Sequence, residues 1–289
     1  MIDTELMSRL LAAVPNNTLV IMLGDSDQLP SVAPGDVLRD MINSGLFEFY
    51  KLTEIFRQAE DSSIINNSHK VINGDSRLIE DNSFKIIRFE SEDEIAEYLK
   101  LCVPKMYKAN IEFKMFTPSR HKKFKTSTTM LNKISQNIIH EPKENDIYFG
   151  NNRFTEGDNV VFIRNNYEVG YYNGQEGVIT NIQKNNGIYF ISILSDEGTI
   201  TITDDYIDDL DLGYAITAHK SQGGECKNAL IVVPMEPKSL LKRQLLYVEI
   251  TRARKNVVIL SEKDAYKTAI SNYGEFLRKT GLKNRLEEK

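Results

Sequence analysis

The chain has 289 residues, room for two ordinary domains or one with an inserted module, and its 41% hydrophobic content plus 16 glycines matches a globular protein with a packed core. A formal net charge of −5 argues against coating nucleic acid by bulk electrostatics, though it leaves room for a local basic groove. No stretch reaches membrane-spanning length, Asp3 and Glu5 do not fit a signal peptide, and Cys102 and Cys226 lack partners at ligand spacing; a cytoplasmic chain with no membrane contact, disulfide framework or zinc site is expected.

Residues 1 to 48 read as helix, strand, motif loop and helix. The apolar run Leu19-Val20-Ile21-Met22-Leu23 predicts a buried strand, and Val37, Leu38, Met41 and Ile42 form a helical stripe ended by Gly45. A strand-like segment over Phe47 to Leu52 precedes a helix carrying Ile64, Ile65, Val71 and Ile72. Ser91 and Glu94 have capping-box spacing before the stripe Ile95, Leu99, Cys102, Val103 and Met106. The strand Ile111 to Phe116 runs into Thr117-Pro118-Ser119 and the basic run Arg120-His121-Lys122-Lys123-Phe124-Lys125, after which Met130, Leu131, Ile134, Ile138 and Ile139 mark a helix. Between about 145 and 210 helical periodicity gives way to short β runs separated by Asn173-Gly174, Asn186-Gly187 and Glu197-Gly198, which predicts a small inserted β-barrel. The α/β pattern then resumes with strand Leu230 to Val233, a helix through Leu241, Leu245 and Val248, strand Val257 to Leu260, and a charged tail from about Tyr273.

Four polar motifs carry chemistry. The first, Gly24-Asp25-Ser26-Asp27-Gln28-Leu29-Pro30-Ser31-Val32, follows the first predicted strand, where Asp25 can orient a water and the Gln28 amide can donate to a phosphate oxygen while accepting from a nucleophilic water. The second, Leu52 to Gln58, sets Arg57 just past a strand end; the fourth, Gln244 to Arg254, sets Arg252 on a helix. A planar, permanently charged fork at each place suits a transferring γ-phosphate. The third, Tyr214 to Glu225, is a dense polar cluster whose Gly223 and Gly224 permit close backbone approach to an anion or sugar. The basic run with Phe124 inside it has the composition that tracks a phosphate backbone and stacks a base.

In order and spacing these motifs resemble the superfamily-1 DNA helicases of the RecD/TraA type, the exodeoxyribonuclease V alpha-subunit family, over nearly the whole chain. The resemblance implies an α/β fold: a RecA-like, P-loop NTPase type parallel-sheet domain (49–144 and 211–289), an inserted SH3-like β-barrel (145–210), and the tail end of a first RecA-like domain (1–48). It implies that Asp25, Gln28, Arg57 and Arg252 serve catalysis at the γ-phosphate, and that Gln222, Gly223 and Glu225 lie on the nucleotide side. DNA contacts are implied for Thr117, Ser119, Arg120, Lys122, Lys123, Tyr167, Thr217, His219 and Ser221. The implied activity is ATP-dependent 5′-to-3′ DNA unwinding in recombination, repair or conjugation. Its ligands would be ATP and Mg²⁺ in the full-length enzyme and single-stranded DNA, and its partners an upstream RecA-like domain or helicase–nuclease subunits.

Two departures stand out. Val248-Glu249 replaces the Thr-Ala usual in the fourth of these motifs, and no G-x-x-x-x-G-K-[ST] phosphate loop or Asp-Glu pair after an apolar strand occurs in the sequence. The chain is therefore expected to be the carboxy-terminal part of a helicase, cut just after its magnesium-binding carboxylates, with no ATPase of its own and no tightly bound nucleotide. A non-catalytic module for single-stranded DNA binding or assembly is the alternative, whereas a nuclease reading finds no carboxylate cluster.

Overall fold

The computed structural model describes residues 2–51, 62–150, 152–221, 224–272, 278 and 280–288. Helix α1 (Thr4–Ala13) is capped by the Asp3 carboxylate, which accepts from the Leu6 backbone N–H at 2.8 Å, and helix α2 (Val37–Ser44) ends at Gly45, whose φ of 66° suits the left-handed C-cap. Between them the expected strand is absent. Residues 19–23 have no strand conformation, and Leu19 and Leu23 are 83% and 91% exposed. A buried parallel strand needs hydrogen-bonded neighbours, and among the described residues no strand pairs with this run. For the same reason the segment from Phe47 is not a strand, with Phe49 52% and Tyr50 83% exposed; Leu52 lies outside the described residues.

The centre of the molecule is a parallel sheet built from β1 (Phe84–Phe89), β2 (Lys114–Phe116), β10 (Ala215–Ile216), β11 (Cys226–Val233) and β12 (Ala253–Glu262), in the order β1-β12-β11-β2-β10. Successive side chains in a strand face opposite ways, and both faces here are covered. Leu230, Val232 and Leu260 pack with Ile95, Leu99 and Val103 of α4 (Glu92–Lys108) and Leu131 of α5 (Thr128–Ile139). Ala229, Ile231, Val257 and Ile259 pack the other way, against Ile64 and Val71 of α3 (Ser63–Ile72), Leu246 and Ile250 of α6 (Arg243–Thr251), and Ala269 of α7 (Ala265–Ser271). The expected strands at Ile111, Leu230 and Val257 and the helices at Ile64, Ser91 and Met130 are all present, whereas strand β1 was not anticipated although Phe84 and Ile86 alternate with polar Lys85. The Ser91 hydroxyl accepts from Glu94 N–H as the capping box requires, but the Glu94 carboxylate reaches back to the N–H of Glu90.

Residues 147–212 form a hairpin of β3 (Ile147–Phe149) and β4 (Asn152–Phe154) and an antiparallel sheet of β5 (Asn159–Phe162), β6 (Glu176–Asn185), β7 (Ile188–Ser195), β8 (Gly198–Thr203) and β9 (Leu210–Leu212), ordered β8-β7-β6-β5-β9. The β6–β7 turn has Asn186 at φ 51° and Gly187 at φ 90°, the two positive φ values that make Asn-Gly the preferred two-residue hairpin loop. Strands β8 and β9 are not neighbours, and a 3-10 helix (Asp204–Asp209) runs between them. The inward residues Phe162, Ile179, Ile191 and Ile193 belong to the same cluster as α4 and α5, so the inserted sheet shares a core with one face of the parallel sheet.

Asp158 joins the two. Its fully buried carboxylate accepts from Tyr214 Oη (2.7 Å), Gln136 Nε2 on α5 (2.6 Å) and the Thr155 N–H (2.8 Å). Asp158→Ala strands these donors in the core and should cost on the order of 2–4 kcal/mol, while Tyr214→Phe, which removes one of the three, should cost about 1–2 kcal/mol; urea unfolding of the two variants checks the ranking.

Candidate functional site

Three motif segments far apart in sequence meet at one place. Leu29, 5% exposed, packs with Ala218 of the segment after β10 and with Leu245 and Val248 of α6. Above this contact Asp25 is a hub: its carboxylate accepts from the Asp27 N–H (2.9 Å), Gln28 Nε2 (3.0 Å) and Tyr247 Oη of α6 (3.4 Å). Burial, and then Asp25 and Asp27, push the Tyr247 phenol above its ordinary range, so it acts as a donor. Gln28 thus has its amide turned onto Asp25.

Arg252 follows α6 and is 4% exposed. Its Nη1 donates to the Gly224 carbonyl at 3.0 Å and its Nε to the Val248 carbonyl at 3.2 Å, so the guanidinium ties Gly224 to the end of the helix. The 217–221 turn is stiffened by the Ser221 hydroxyl on the Ala218 carbonyl (2.8 Å), and Thr217 O accepts from the N–H groups of Lys220 and Ser221. Glu225 pairs with Arg254. Arg57, Gln222 and Gly223 lie outside the described residues.

The expected DNA contacts divide. Thr117 is fully buried with its hydroxyl on the Thr126 carbonyl (2.7 Å), and Ser119, 4% exposed, accepts from the His121 N–H (3.2 Å); both shape the basic loop from inside and offer no surface to a ligand. Arg120, Lys122, Lys123 and His219 are exposed. Lys123 sits over the Phe124 ring at 4.7 Å, and Lys125 is paired with Asp93. Partial burial of its ring, and then Lys242, lower the His219 pKa, keeping it neutral near pH 7. Thr217 and Ser221 are buried. Tyr167, 77% exposed, packs edge-on against Tyr172 at 5.9 Å between ring centroids. Tyr172 in turn lines a cavity of about 360 Å³ together with Lys220, Ser221 and Arg252, so the inserted sheet and the third motif face a common cleft. Tyr172, Tyr247 and Lys220 were not assigned roles from the sequence; Tyr247 and Lys220 lie inside quoted motifs, and Tyr172 adjoins the Asn173-Gly174 turn.

The comparisons with known proteins agree with this arrangement. The family model described as AAA domain matches residues 1–92, and that of the UvrD-like helicase C-terminal domain matches 212–260. The ATP-dependent RecD2 DNA helicase of Deinococcus radiodurans is 29% identical over 99% of this chain and 38% of its own length. The RecBCD enzyme subunit RecD of Mycolicibacterium smegmatis is 25% identical over 99% of this chain and 52% of its own. The chain is a homologue of the RecD-type helicases. It spans 38% and 52% of those two relatives. The crystal structure of Pif1 helicase from Candida albicans shares the fold, with a TM-score of 0.53 at 16% identity over 92% of this chain and 67% of that one. The Asp25–Tyr247 and Leu29–Val248 contacts run between the two regions matched by family models.

Glu249, the residue that departs from the family pattern, lies on α6 between Tyr247 and Arg252, is 3% exposed, and leaves Oε1 without a hydrogen-bond partner. Burial pushes its carboxyl from 4.5 up to about 8, so at neutral pH it is largely protonated. The folded value lies above the unfolded one; the stability contributed by the neutral acid is full below about 4.5 and is lost as pH rises through about 8. Glu249→Gln, neutral throughout, should match the parent near pH 4.5 and exceed its stability at pH 9 by on the order of a few kcal/mol, read as a shift in urea midpoint.

Proposed function

We propose that this chain supplies the γ-phosphate-facing residues and one wall of the single-stranded DNA groove of an ATP-dependent 5′-to-3′ DNA helicase acting in recombination, repair or conjugation. The observation that carries the reading is the meeting of the Asp25–Gln28 loop, the Thr217–Ser221 segment and α6 around Leu29 and Tyr247. A residue that senses nucleotide and a segment that touches DNA must share a rigid support if hydrolysis is to move a strand. In this reading residues 1–48 belong to a first RecA-like domain, 49–144 with 211–289 form the second, and 145–210 are an SH3-like module on it; an upstream RecA-like domain or helicase–nuclease subunits are its protein partners.

ATP and Mg²⁺ belong to the full-length enzyme. Of the groups expected at the γ-phosphate, Asp25, Gln28 and Arg252 are described, and all three already hold hydrogen bonds, Asp25 with Gln28 and Tyr247 and Arg252 with main-chain carbonyls. They fit a phosphate only by giving up those bonds. ATP supplies the phosphoryl group; the part of this chain is to orient the attacking water through Gln28 and to place positive charge through Arg252. The burial of Arg252 also favours a second reading, a non-catalytic DNA-binding or assembly module in which it only props Gly224.

Three measurements test these readings, and the second separates them. The purified chain, lacking a phosphate loop, should turn over ATP at background, equally in an Arg252→Ala control. In a RecD-type protein carrying this chain together with a phosphate loop, Arg252→Ala should cost on the order of 10³-fold in ATPase rate with DNA affinity little changed; a loss of thermal stability without that kinetic loss supports the second reading. Binding of an oligo-dT strand should fall with salt, and Lys122→Ala with Lys123→Ala should flatten the log–log slope by roughly 0.7 per lost phosphate contact, while Lys283→Ala with Arg285→Ala on α8 (Leu282–Glu287) should not.

A further inference from the structure

Between the inserted sheet and the parallel sheet, one acid faces two cations, Arg120 of the expected DNA surface and Lys220 of the third motif. Asp211, on β9, has the same oxygen, Oδ2, 3.6 Å from Arg120 Nη2 in the basic loop and 3.7 Å from Lys220 Nζ in the third motif. Both separations exceed the ordinary length of a charge-assisted hydrogen bond, so the carboxylate neutralises the pair without being locked to either member. The Lys220 side chain is only 17% exposed, and burial lowers its pKa despite the acid beside it; an ammonium so poorly hydrated needs an anion close by. Thr128 and Thr217 lie beside the same three side chains, and both are buried. The two cations therefore present the charge that a phosphate takes, with a carboxylate of the chain itself already at them.

We propose that Asp211 is an internal counter-ion standing where a backbone phosphate of the single strand binds, so that DNA binds by exchanging a phosphate for this carboxylate and Asp211 sets the strength of binding. This rests on the DNA-groove reading above. The exchange makes and breaks no covalent bond: the freed carboxylate takes up a solvent cation as the phosphate releases one, which cancels part of the salt dependence that the contact would otherwise show.

The test is fluorescence anisotropy of labelled oligo-dT across a sodium chloride series with the full chain. Asp211→Asn keeps shape and removes charge; it should tighten binding by about fivefold or more and steepen the log–log slope by roughly 0.7. Asp211→Ser, at a side chain 30% exposed, provides a second uncharged variant. A merely structural tie between the two sheets predicts the opposite sign, a lower melting temperature and weaker binding. Lys220→Ala separates the two levels of the argument. If it and the Lys122/Lys123 change leave binding untouched, the DNA groove itself is misplaced. If they weaken binding while Asp211→Asn leaves affinity and slope unchanged, the groove stands and the counter-ion proposal is overturned.

Discussion

The arrangement of the molecule depends on a carboxylate that water cannot reach. Asp158 lies at the start of the inserted sheet, and its partners come from α5, from the end of β4 and from Tyr214, the first residue of the third motif. Burial raises its pKa while Tyr214, Thr155 and Gln136 pull it back down, so the charged form is tolerable only where all three donors are in place. That requirement fixes the position of the inserted sheet far more sharply than the shared apolar cluster could, because hydrophobic contact is non-directional whereas donors must point at lone pairs. Arg153 reinforces the junction by bridging Asp146 and the His140 carbonyl.

Once the sheet is held there, Tyr172 and the 173–176 turn stand over the third motif, and Asp211 reaches Arg120 and Lys220. The acidic total of the chain therefore conceals a local alternation of sign. Cations of the parallel-sheet loops meet an acid supplied by the inserted sheet. On the other side of the third motif, Arg252 and Ser221 stiffen the turn that Ala218 anchors to Leu29. Asp25 and the segment from Thr217 are thus joined through a few packed side chains, Leu29, Ala218 and Tyr247.

The apolar residues left in solvent are as informative as those buried. Leu19, Ile21 and Leu23 are 83%, 74% and 91% exposed, and Phe49 and Tyr50 join them. Their sequence is that of a strand interior, and burial of such side chains would contribute roughly 1.5–3 kcal/mol each. Elsewhere the same chemistry is satisfied: Leu230 and Ile231 have parallel neighbours on both sides and are buried.

Local patterns in the sequence determined most of the elements around the parallel sheet. Ser91 with Glu94, Asn186 with Gly187, and the apolar stripe of α4 act over a few residues, through caps, turn dihedrals and helical spacing, and each is present as expected. The motif residues Asp25, Thr217, Ser221 and Arg252 were likewise visible as a set, because few residue types can orient water or bind phosphate. Only tertiary structure decided their use. Whether Leu19 to Leu23 is a strand depends on neighbours, and no local signal reports those. Thr117 and Ser119 look like surface hydroxyls in sequence but are consumed inside their loop. Apart from the nearby Thr155 N–H on Asp158, the partners of Asp158 and Tyr247 lie 22 to 222 residues away and that of Lys220 arrives from another sheet, and burial and pairing of this kind are properties of the packed whole.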